Sequence, residues 1–313
     1  MYLTTNILAL VGGGKNPKFS INKIIIWDDK KKRNNIIGEL RFNSPVLNVK
    51  MKQDRLIGIC QSKIYIFNIN TLETLDMFDT YDNINGIVGF SSGELICVLA
   101  FPYESKGKVR IVNFNSLAQP PIITAHESKI ACLCVNRNGT LLATSSDKGT
   151  LVRIFDVKDG KLLIELRRGA KNAEINCIIF DENNKHVACA SGTGTVHIFS
   201  IVEAMKNNYN ENYYSDQNDG DETKNQKSFL SGFNFLHKLS SSYFGSEWSF
   251  AKLRLQEHKS IISFLHNNTI CALTSDGKYC LASFDPKKSG DCVKKFEFYI
   301  YDTNNQKDNK DNK

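Results

Sequence analysis

The hexad TVHIFS, residues 195–200, is one of five similar strand-like segments that recur along this chain. The others are KIIIWD from Lys23, KIYIFN from Lys63, KVRIVN from Lys108 and TLVRIF from Thr150. Successive segments start 40, 45, 42 and 45 residues apart, and this period is typical of one four-stranded propeller blade. Apolar residues at helical spacing are scarce between them. The repeat therefore predicts an all-β fold, a β-propeller built from four-stranded WD-type blades.

A sixth unit and an inserted segment follow the five repeats. The sixth unit, IISFLHNNTICALTSDGKYCLASFD, begins near Ser260. We expect a single propeller over residues 1–302 that contains a long inserted loop at 202–242, followed by a disordered polar tail at 303–313. The first part of the insertion, NNYNENYYSDQNDGDETKNQK, is polar and poor in aliphatic residues, and it is therefore predicted to be disordered.

The second part of the insertion is apolar. In SFLSGFNFLHKL, residues 228–239, apolar side chains recur near helical spacing. They are Phe229, Leu230, Phe233, Leu236 and Leu239, with Phe235 beside them. From the residues alone, these side chains could simply pack onto the propeller.

Composition and charge narrow the class of protein. The 313 residues are 41% hydrophobic and carry a formal net charge of +7, which fits a soluble globular chain with a large core and gives a weak indication of an anionic partner. The nine cysteines lie mostly in apolar runs, without a CxxC pair, so we expect reduced thiols and no zinc site. No run approaches membrane-spanning length, and the protein is expected to reach a membrane only from outside.

The sequence gives no support for catalysis. The stretch LVGGGKNP, residues 10–17, resembles a phosphate-binding loop, but that motif would need glycine at position 9 and Ser or Thr at position 16. Those positions hold Ala9 and Asn16, and neither a GxSxG nor an HExxH motif occurs. We therefore expect that the protein is not an enzyme. A propeller hydrolase with a spatially assembled site is the least favoured alternative.

Two consecutive repeats carry the same polar pattern. ATSSDKGTLVRIF and ACASGTGTVHIF each offer two hydroxyls four residues apart, followed by a potentially cationic donor. The residues are Ser146, Thr150 and Arg153 in the first repeat and Ser191, Thr195 and His197 in the second. The pattern predicts two similar pockets at equivalent blade positions. The alternative is that these side chains only tie strands together within a blade.

Two adjacent arginines lie in the connection between these repeats, in IELRRGAKNAE, residues 164–174. Successive side chains of an extended segment point to opposite sides, so Arg167 and Arg168 can each serve one of two neighbouring clefts. The planar guanidinium suits phosphate because it donates two parallel hydrogen bonds. The alternative for such a pair is plain exposure to solvent.

The motif LRRG, Leu166–Gly169, resembles the signature of the PROPPIN family, the WIPI-like phosphoinositide-binding β-propellers of autophagy and endosomal traffic. The resemblance extends to NILALVGGGKNPKFSINKIIIWDD, NGTLLATSSDKGTLVRIFD, ELRRGAKNAEI and SEWSFA. It implies binding of phosphatidylinositol 3-phosphate and phosphatidylinositol 3,5-bisphosphate in two rim pockets. By resemblance, the first pocket would use His126, Thr144, Ser146, Gly149, Thr150, Arg153 and Arg167. The second would use Arg168, Gly169, Lys171, Ser191, Thr195 and His197.

The resemblance also bears on blade number and on the insertion. Family members have seven blades, whereas six units are visible here. Either the first blade is absent because the sequence is incomplete, or six blades close on themselves, or the ring stays open. The insertion resembles, in its placement, the family loop that dips into the bilayer, which favours a membrane role for its apolar residues.

The resemblance implies a cytoplasmic effector that is recruited peripherally to pre-autophagosomal, endosomal, lysosomal or vacuolar membranes. The implied protein partner is the rod-shaped lipid-transfer protein that extends autophagic membranes. We expect no nucleic-acid partner and no cofactor. The alternative function is a WD-repeat scaffold that binds proteins and does not recognise lipid.

Overall fold

The computed structural model describes residues 6–52, 54–93, 96–202, 225, 246–256 and 258–300. Within these residues, 25 β-strands form six sheets whose main ladders are antiparallel between neighbouring strands. The six sheets coincide with the six sequence units, and the five recurring hexads become β2, β6, β10, β14 and β18. The prediction of an all-β fold made of four-stranded units is therefore confirmed.

The first three sheets take the chain in order. Their strands are β1 (Ile7–Val11), β2 (Lys23–Asp28) and β3 (Ile36–Arg41); β4 (Asn48–Lys52), β5 (Arg55–Ile59), β6 (Lys63–Asn68) and β7 (Thr74–Asp79); and β8 (Gly89–Phe90), β9 (Val98–Pro102), β10 (Lys108–Asn113) and β11 (Ile123–Thr124).

The last three sheets contain the polar repeats. The fourth has the order β12 (Ile130–Val135), β13 (Leu141–Ser146), β14 (Leu151–Asp156), β15 (Leu162–Arg167) and β19 (Glu247–Trp248). The fifth has the order β16 (Ile175–Phe180), β17 (His186–Ser191), β18 (Thr195–Ser200), β20 (Ala251–Arg254) and β24 (Gly290–Asp291). The sixth has the order β21 (Ser260–Leu265), β22 (Thr269–Thr274), β23 (Lys278–Ser283) and β25 (Val293–Tyr299).

The hexads form strands because β-branched residues recur at every second position and bury well on a pleated sheet. Strands β6, β10 and β14 share one alternating pattern of buried and half-buried residues. In β14, for example, Val152 and Ile154 are fully buried. Burial of side chains on both faces of a strand requires packing partners on both sides, as stacked blades provide.

The chain divides into two compact units, each with its own apolar core. The first comprises residues 1–142 with 157–160, and the second comprises 143–156 with 161–313. Cores in the first unit are built around Phe101 and around Phe42. The core of the second unit is built around Phe250 and Ile270. All proposed site residues except His126 belong to the second unit.

The insertion connects the third and fourth strands of the fifth sheet, since β18 and β20 are neighbours there. Asn225 bridges the two ends of this insertion. Its Oδ1 accepts the Ser200 backbone N–H at 2.8 Å, and its Nδ2 donates to the Ser200 carbonyl at 2.5 Å and to Glu247 Oε2 at 2.7 Å. The apolar residues at 228–239 and the tail at 303–313 lie outside the described residues.

In the part of the chain that the structure describes, no helix is long and apolar enough to cross a bilayer.

Candidate anion-binding sites

The two polar repeats form the same tight turn in successive sheets. The Gly149 N–H donates to the Ser146 carbonyl at 2.9 Å, and the Gly194 N–H donates to the Ser191 carbonyl at 3.0 Å. Both glycines have a positive φ, of 58° and 73°, which residues with a side chain adopt only at a cost. The turns place Thr150 directly before strand β14 and Thr195 at the first position of strand β18.

Gly149 is also closely enclosed, and this leads to a first prediction. A Cβ at this position would lie 1.7 Å from the Ala173 carbonyl oxygen. We expect Gly149→Ala to lower the free energy of unfolding by at least about 2 kcal/mol, because left-handed strain and a backbone clash add together. The matched control is Gly169→Ala, since a Cβ at Gly169 would meet nothing within 4 Å. Equal unfolding midpoints for the two variants in urea would contradict the prediction.

Arg167 belongs to a network that includes an acid and a hydroxyl. Its Nη2 donates to Ser246 Oγ at 3.2 Å, and Ser246 Oγ donates to Glu165 Oε1 at 2.8 Å. Arg153 binds the other oxygen of Glu165 through Nε at 2.9 Å and Nη2 at 2.8 Å. Ser246 reaches Arg167 because β19 pairs with the end of β15 in parallel, with Trp248 opposite Arg167.

Arg168 points to different partners. Its Nε donates to the Gly149 carbonyl at 2.9 Å, and its Nη2 donates to the Lys171 carbonyl. Within the described residues, both hydrogen bonds of this guanidinium therefore go to neutral oxygens. Burial lowers the pKa of Arg168 from its usual value. The two arginines are only 6% and 7% exposed, so the alternative of a solvent-exposed pair is wrong.

One face of strands β17, β18 and β20 concentrates positive charge around a histidine. In the ladder, Ser191 lies opposite Thr195, Thr195 opposite Arg254, and His197 opposite Lys252. His197 Nδ1 contacts Ser249 Oγ at 3.0 Å. Burial, with further contributions from Lys252, Arg168 and Arg254, lowers the pKa of His197 to about 3. The imidazole is therefore neutral at physiological pH, and the positive charge at this site comes from its neighbours.

The depressed pKa of His197 predicts an acid-sensitive fold. Protonation favours the unfolded chain, where the pKa is the ordinary 6.5, so this stability is present above pH 6.5 and is lost as the pH falls from there towards about 3. Because of His197, we expect the free energy of unfolding to be about 2 kcal/mol lower at pH 5 than at neutral pH. The check is urea unfolding of wild type and His197→Gln at both pH values. An identical acid dependence in the two proteins would rule out this role for His197.

The remaining predicted residues have distinct surroundings. Thr144 is buried, and its Oγ1 donates to the Arg153 carbonyl at 3.5 Å. Lys171 is exposed. Ser191 Oγ donates to the Thr195 carbonyl at 3.1 Å, so it would have to release that carbonyl to donate to a phosphate. His126 belongs to the first unit, where it is buried and donates its backbone N–H to the Gly107 carbonyl at 3.1 Å.

Arg153 and His197 occupy equivalent positions, as the repeats predict, because each is the third residue of its strand, β14 or β18. The threonines differ, since Thr150 precedes β14 whereas Thr195 is the first residue of β18. Arg153 faces the same side as its ladder partner Glu165. The first site is therefore built around an ion-paired arginine and the second around a neutral histidine.

Sequence reasoning missed four polar residues of these sites: Glu165, Ser246, Lys252 and Arg254. Glu165 could have been found, because the period of two in a strand places it on the side of Arg167. Lys252 and Arg254 share one face of β20 by the same rule. Ser246 gave no signal, because its contact with Arg167 spans 79 residues of sequence. In the described residues, no group of three or more His, Cys, Asp and Glu side chains could hold a metal ion.

Comparisons with known proteins bear on the family and the fold of this chain. The PROPPIN family model matches residues 20–298. Autophagy-related protein 18e of Arabidopsis thaliana is 32% identical over 315 residues, which cover 97% of this chain and 77% of that protein. Among solved structures, Kluyveromyces lactis Hsv2 has a TM-score of 0.71 at 19% identity and covers 96% of this chain and 85% of its own.

A second solved structure is a complex of KlAtg21 with the coiled coil of AgAtg16. It has a TM-score of 0.72 at 21% identity and covers 96% of this chain and 84% of that chain. These structural likenesses establish the β-propeller fold.

Proposed function

This chain belongs to the PROPPIN family, and from that premise we propose that it is a peripheral membrane effector for two lipids, phosphatidylinositol 3-phosphate and phosphatidylinositol 3,5-bisphosphate. Members of this family are non-enzymatic β-propellers that bind phosphoinositides, and the relatives include autophagy-related proteins. In the proposed first pocket, Arg167 and Arg153 face the phosphate together with the Ser146–Thr150 turn. In the second, Arg168 acts with the Ser191–Thr195 turn and His197. His126 remains a candidate from the sequence.

The observation that carries this proposal is the environment of Arg168. Its guanidinium is buried, and its hydrogen bonds in the described residues go to the carbonyls of Gly149 and Lys171. A buried charge without a counter-charge costs several kcal/mol. A phosphate monoester would supply that counter-charge, and Lys252 and Arg254 on the neighbouring strand would add to its attraction.

The experiment is liposome flotation against a panel of phosphoinositides. We expect binding to vesicles that carry either 3-phosphorylated lipid and little binding to vesicles of phosphatidylcholine alone. A folded protein that floats with none of the lipids, yet binds proteins, would favour the WD-repeat scaffold instead.

The proposal extends to partner, location and domain limits. We propose recruitment to pre-autophagosomal, endosomal, lysosomal or vacuolar membranes, and the rod-shaped autophagic lipid-transfer protein as the protein partner. The complex of KlAtg21 with a coiled coil supports protein binding by this fold. The propeller would span residues 1–302, with the membrane-inserting loop at 202–242 and the polar tail at 303–313.

Salt should weaken binding only in part. Charges near water are screened over a Debye length of about 8 Å at physiological ionic strength, so flotation should fall as sodium chloride is raised. A remainder should persist if the apolar segment inserts, because burial of apolar surface does not depend on screening. The measurement is a salt titration of flotation at fixed lipid content. Binding that does not respond to salt at all would contradict recognition by arginine.

A further inference from the structure

A cavity of about 290 Å³ lies in the second unit and shares only Arg254 with the surroundings of the second proposed lipid pocket. Its polar lining comes from the end of β20, the connection to β21 and the sixth sheet, and comprises Arg254, Gln256, His258, Thr274, Lys278, Lys294 and Glu297. Such a volume lies at the lower end of small-molecule sites. It suits a compact polar ligand.

The turn beside this cavity repeats the turn of the second lipid pocket. Thr274 Oγ1 donates to the Lys278 carbonyl at 3.0 Å, as Ser191 Oγ donates to the Thr195 carbonyl at 3.1 Å. The Gly277 N–H donates to the Thr274 carbonyl at 2.9 Å, and Gly277 has a φ of 85°. The sixth sheet therefore presents a hydroxyl and a turn glycine at the same positions, with Lys278 at the position of Thr195.

The first arginine of the pair also has a counterpart. Arg167 lies opposite Leu151, the first residue of β14, and Arg254 lies opposite Thr195, the first residue of β18. The Arg168 N–H donates to the Thr150 carbonyl at 2.9 Å, and the Leu255 N–H donates to the Gly194 carbonyl at 2.7 Å, so Leu255 stands in the place of Arg168. Arg254 thus corresponds to Arg167, and it lines the cavity of the next sheet.

Positive charge exceeds negative charge in the lining. Lys278 and Lys294 share one carboxylate, that of Glu297, at 2.5 Å and 3.1 Å. Arg254 pairs with Asp291 at 3.2 Å, but both side chains are largely exposed and such a pair contributes little. His258 lies 3.6 Å from Asp276. Three cations therefore line the cavity with Glu297 as its single lining carboxylate among the described residues.

We propose that this cavity is a third anion site, which takes a phosphate group through Arg254, Lys278 and Lys294. The phosphate would enter between the lysines and Glu297 and neutralise the excess charge, as charge-assisted hydrogen bonds to phosphate do. It could come from a lipid headgroup or from a soluble phosphate. The site stands independently of the proposed function, since its evidence is this cavity and the internal repeat.

The test uses the full chain and isothermal titration with inositol 1,3-bisphosphate and with inorganic phosphate. Lys278→Thr with Lys294→Gln removes both lysines and introduces at position 278 the threonine that the fifth sheet has at the corresponding position, Thr195. We expect this variant to bind one ligand fewer per chain than wild type. The matched control, Lys287→Gln with Lys288→Gln, removes two exposed lysines near the same sheet and should keep the wild-type number of sites.

The double change Arg167→Ala with Arg168→Ala separates this proposal from the lipid pockets. It should leave one site, and adding the Lys278 and Lys294 changes should weaken that site at least about tenfold. An unchanged site count in the lysine variant would overturn the third site, whereas an unchanged count in the arginine variant would overturn only the lipid pockets. Weaker flotation of the lysine variant would identify a lipid headgroup, and weaker calorimetric binding alone a soluble phosphate.

Discussion

Replacing Arg167 and Arg168 together by alanine is expected to abolish binding to liposomes that carry phosphatidylinositol 3-phosphate, whereas either single replacement leaves weakened binding. The two guanidiniums have separate partners, Ser246 for Arg167 and the Gly149 and Lys171 carbonyls for Arg168. We therefore expect each guanidinium to serve its own proposed pocket. Two modest pockets on one body bind with avidity, because the second engagement is effectively intramolecular. Loss of one pocket removes that avidity, and loss of both pockets removes recognition of the lipid.

The controls must separate recognition from folding and from net charge. Arg168 donates hydrogen bonds to two carbonyls, so its replacement also lowers the stability of the fold. A thermal unfolding measurement should therefore establish that the variant is folded at the assay temperature. Lys32→Ala with Arg33→Ala removes the same charge from two exposed residues and should float like wild type. A folded double arginine variant that floats normally would refute the phosphate role. Ser146→Ala and Ser191→Ala should each weaken binding less, because each leaves the arginine in place.

Replacing Phe229, Phe233 and Leu236 by serine is expected to reduce liposome binding sharply and to leave binding of soluble headgroup unchanged. Complete burial of a Phe or Leu side chain contributes about 1.5 to 3 kcal/mol, and interfacial burial is only partial. Even at half that value, the apolar residues of 228–239 would rival both pockets together. Gly232 and the short length of this stretch make an isolated helix marginal in water, so we expect it to fold at the bilayer.

The matched control removes three exposed apolar side chains from the first unit: Leu75, Leu117 and Ile122 to serine. This triple variant should float like wild type. The prediction would be contradicted if the serine variant of the insertion unfolds at a lower temperature while its folded fraction still binds liposomes like wild type. That result would mean that Phe229, Phe233 and Leu236 pack onto the propeller as core residues.

The repeat predicted the sheets because a blade is a local structure. Its strands follow one another at a fixed period, so Lys23, Lys63 and Lys108 mark β2, β6 and β10 without knowledge of distant contacts. Strand alternation could also have located Glu165 beside Arg167. The contact between Arg167 and Ser246 was out of reach, because it depends on the parallel pairing of β15 with β19 across the insertion. The charge state of His197 likewise depends on burial, which the residue type does not specify.

The bridge made by Asn225 limits how deep the apolar segment can reach. Asn225 bonds to Ser200 and Glu247 at the base of the insertion, and twenty residues, 226–245, separate it from Ser246 in the sequence. Twenty residues, fully extended out and back, would span at most about 35 Å. If the apolar segment inserts as proposed, it and the phosphate pockets can engage one bilayer only when the body stands within about that distance of the membrane surface.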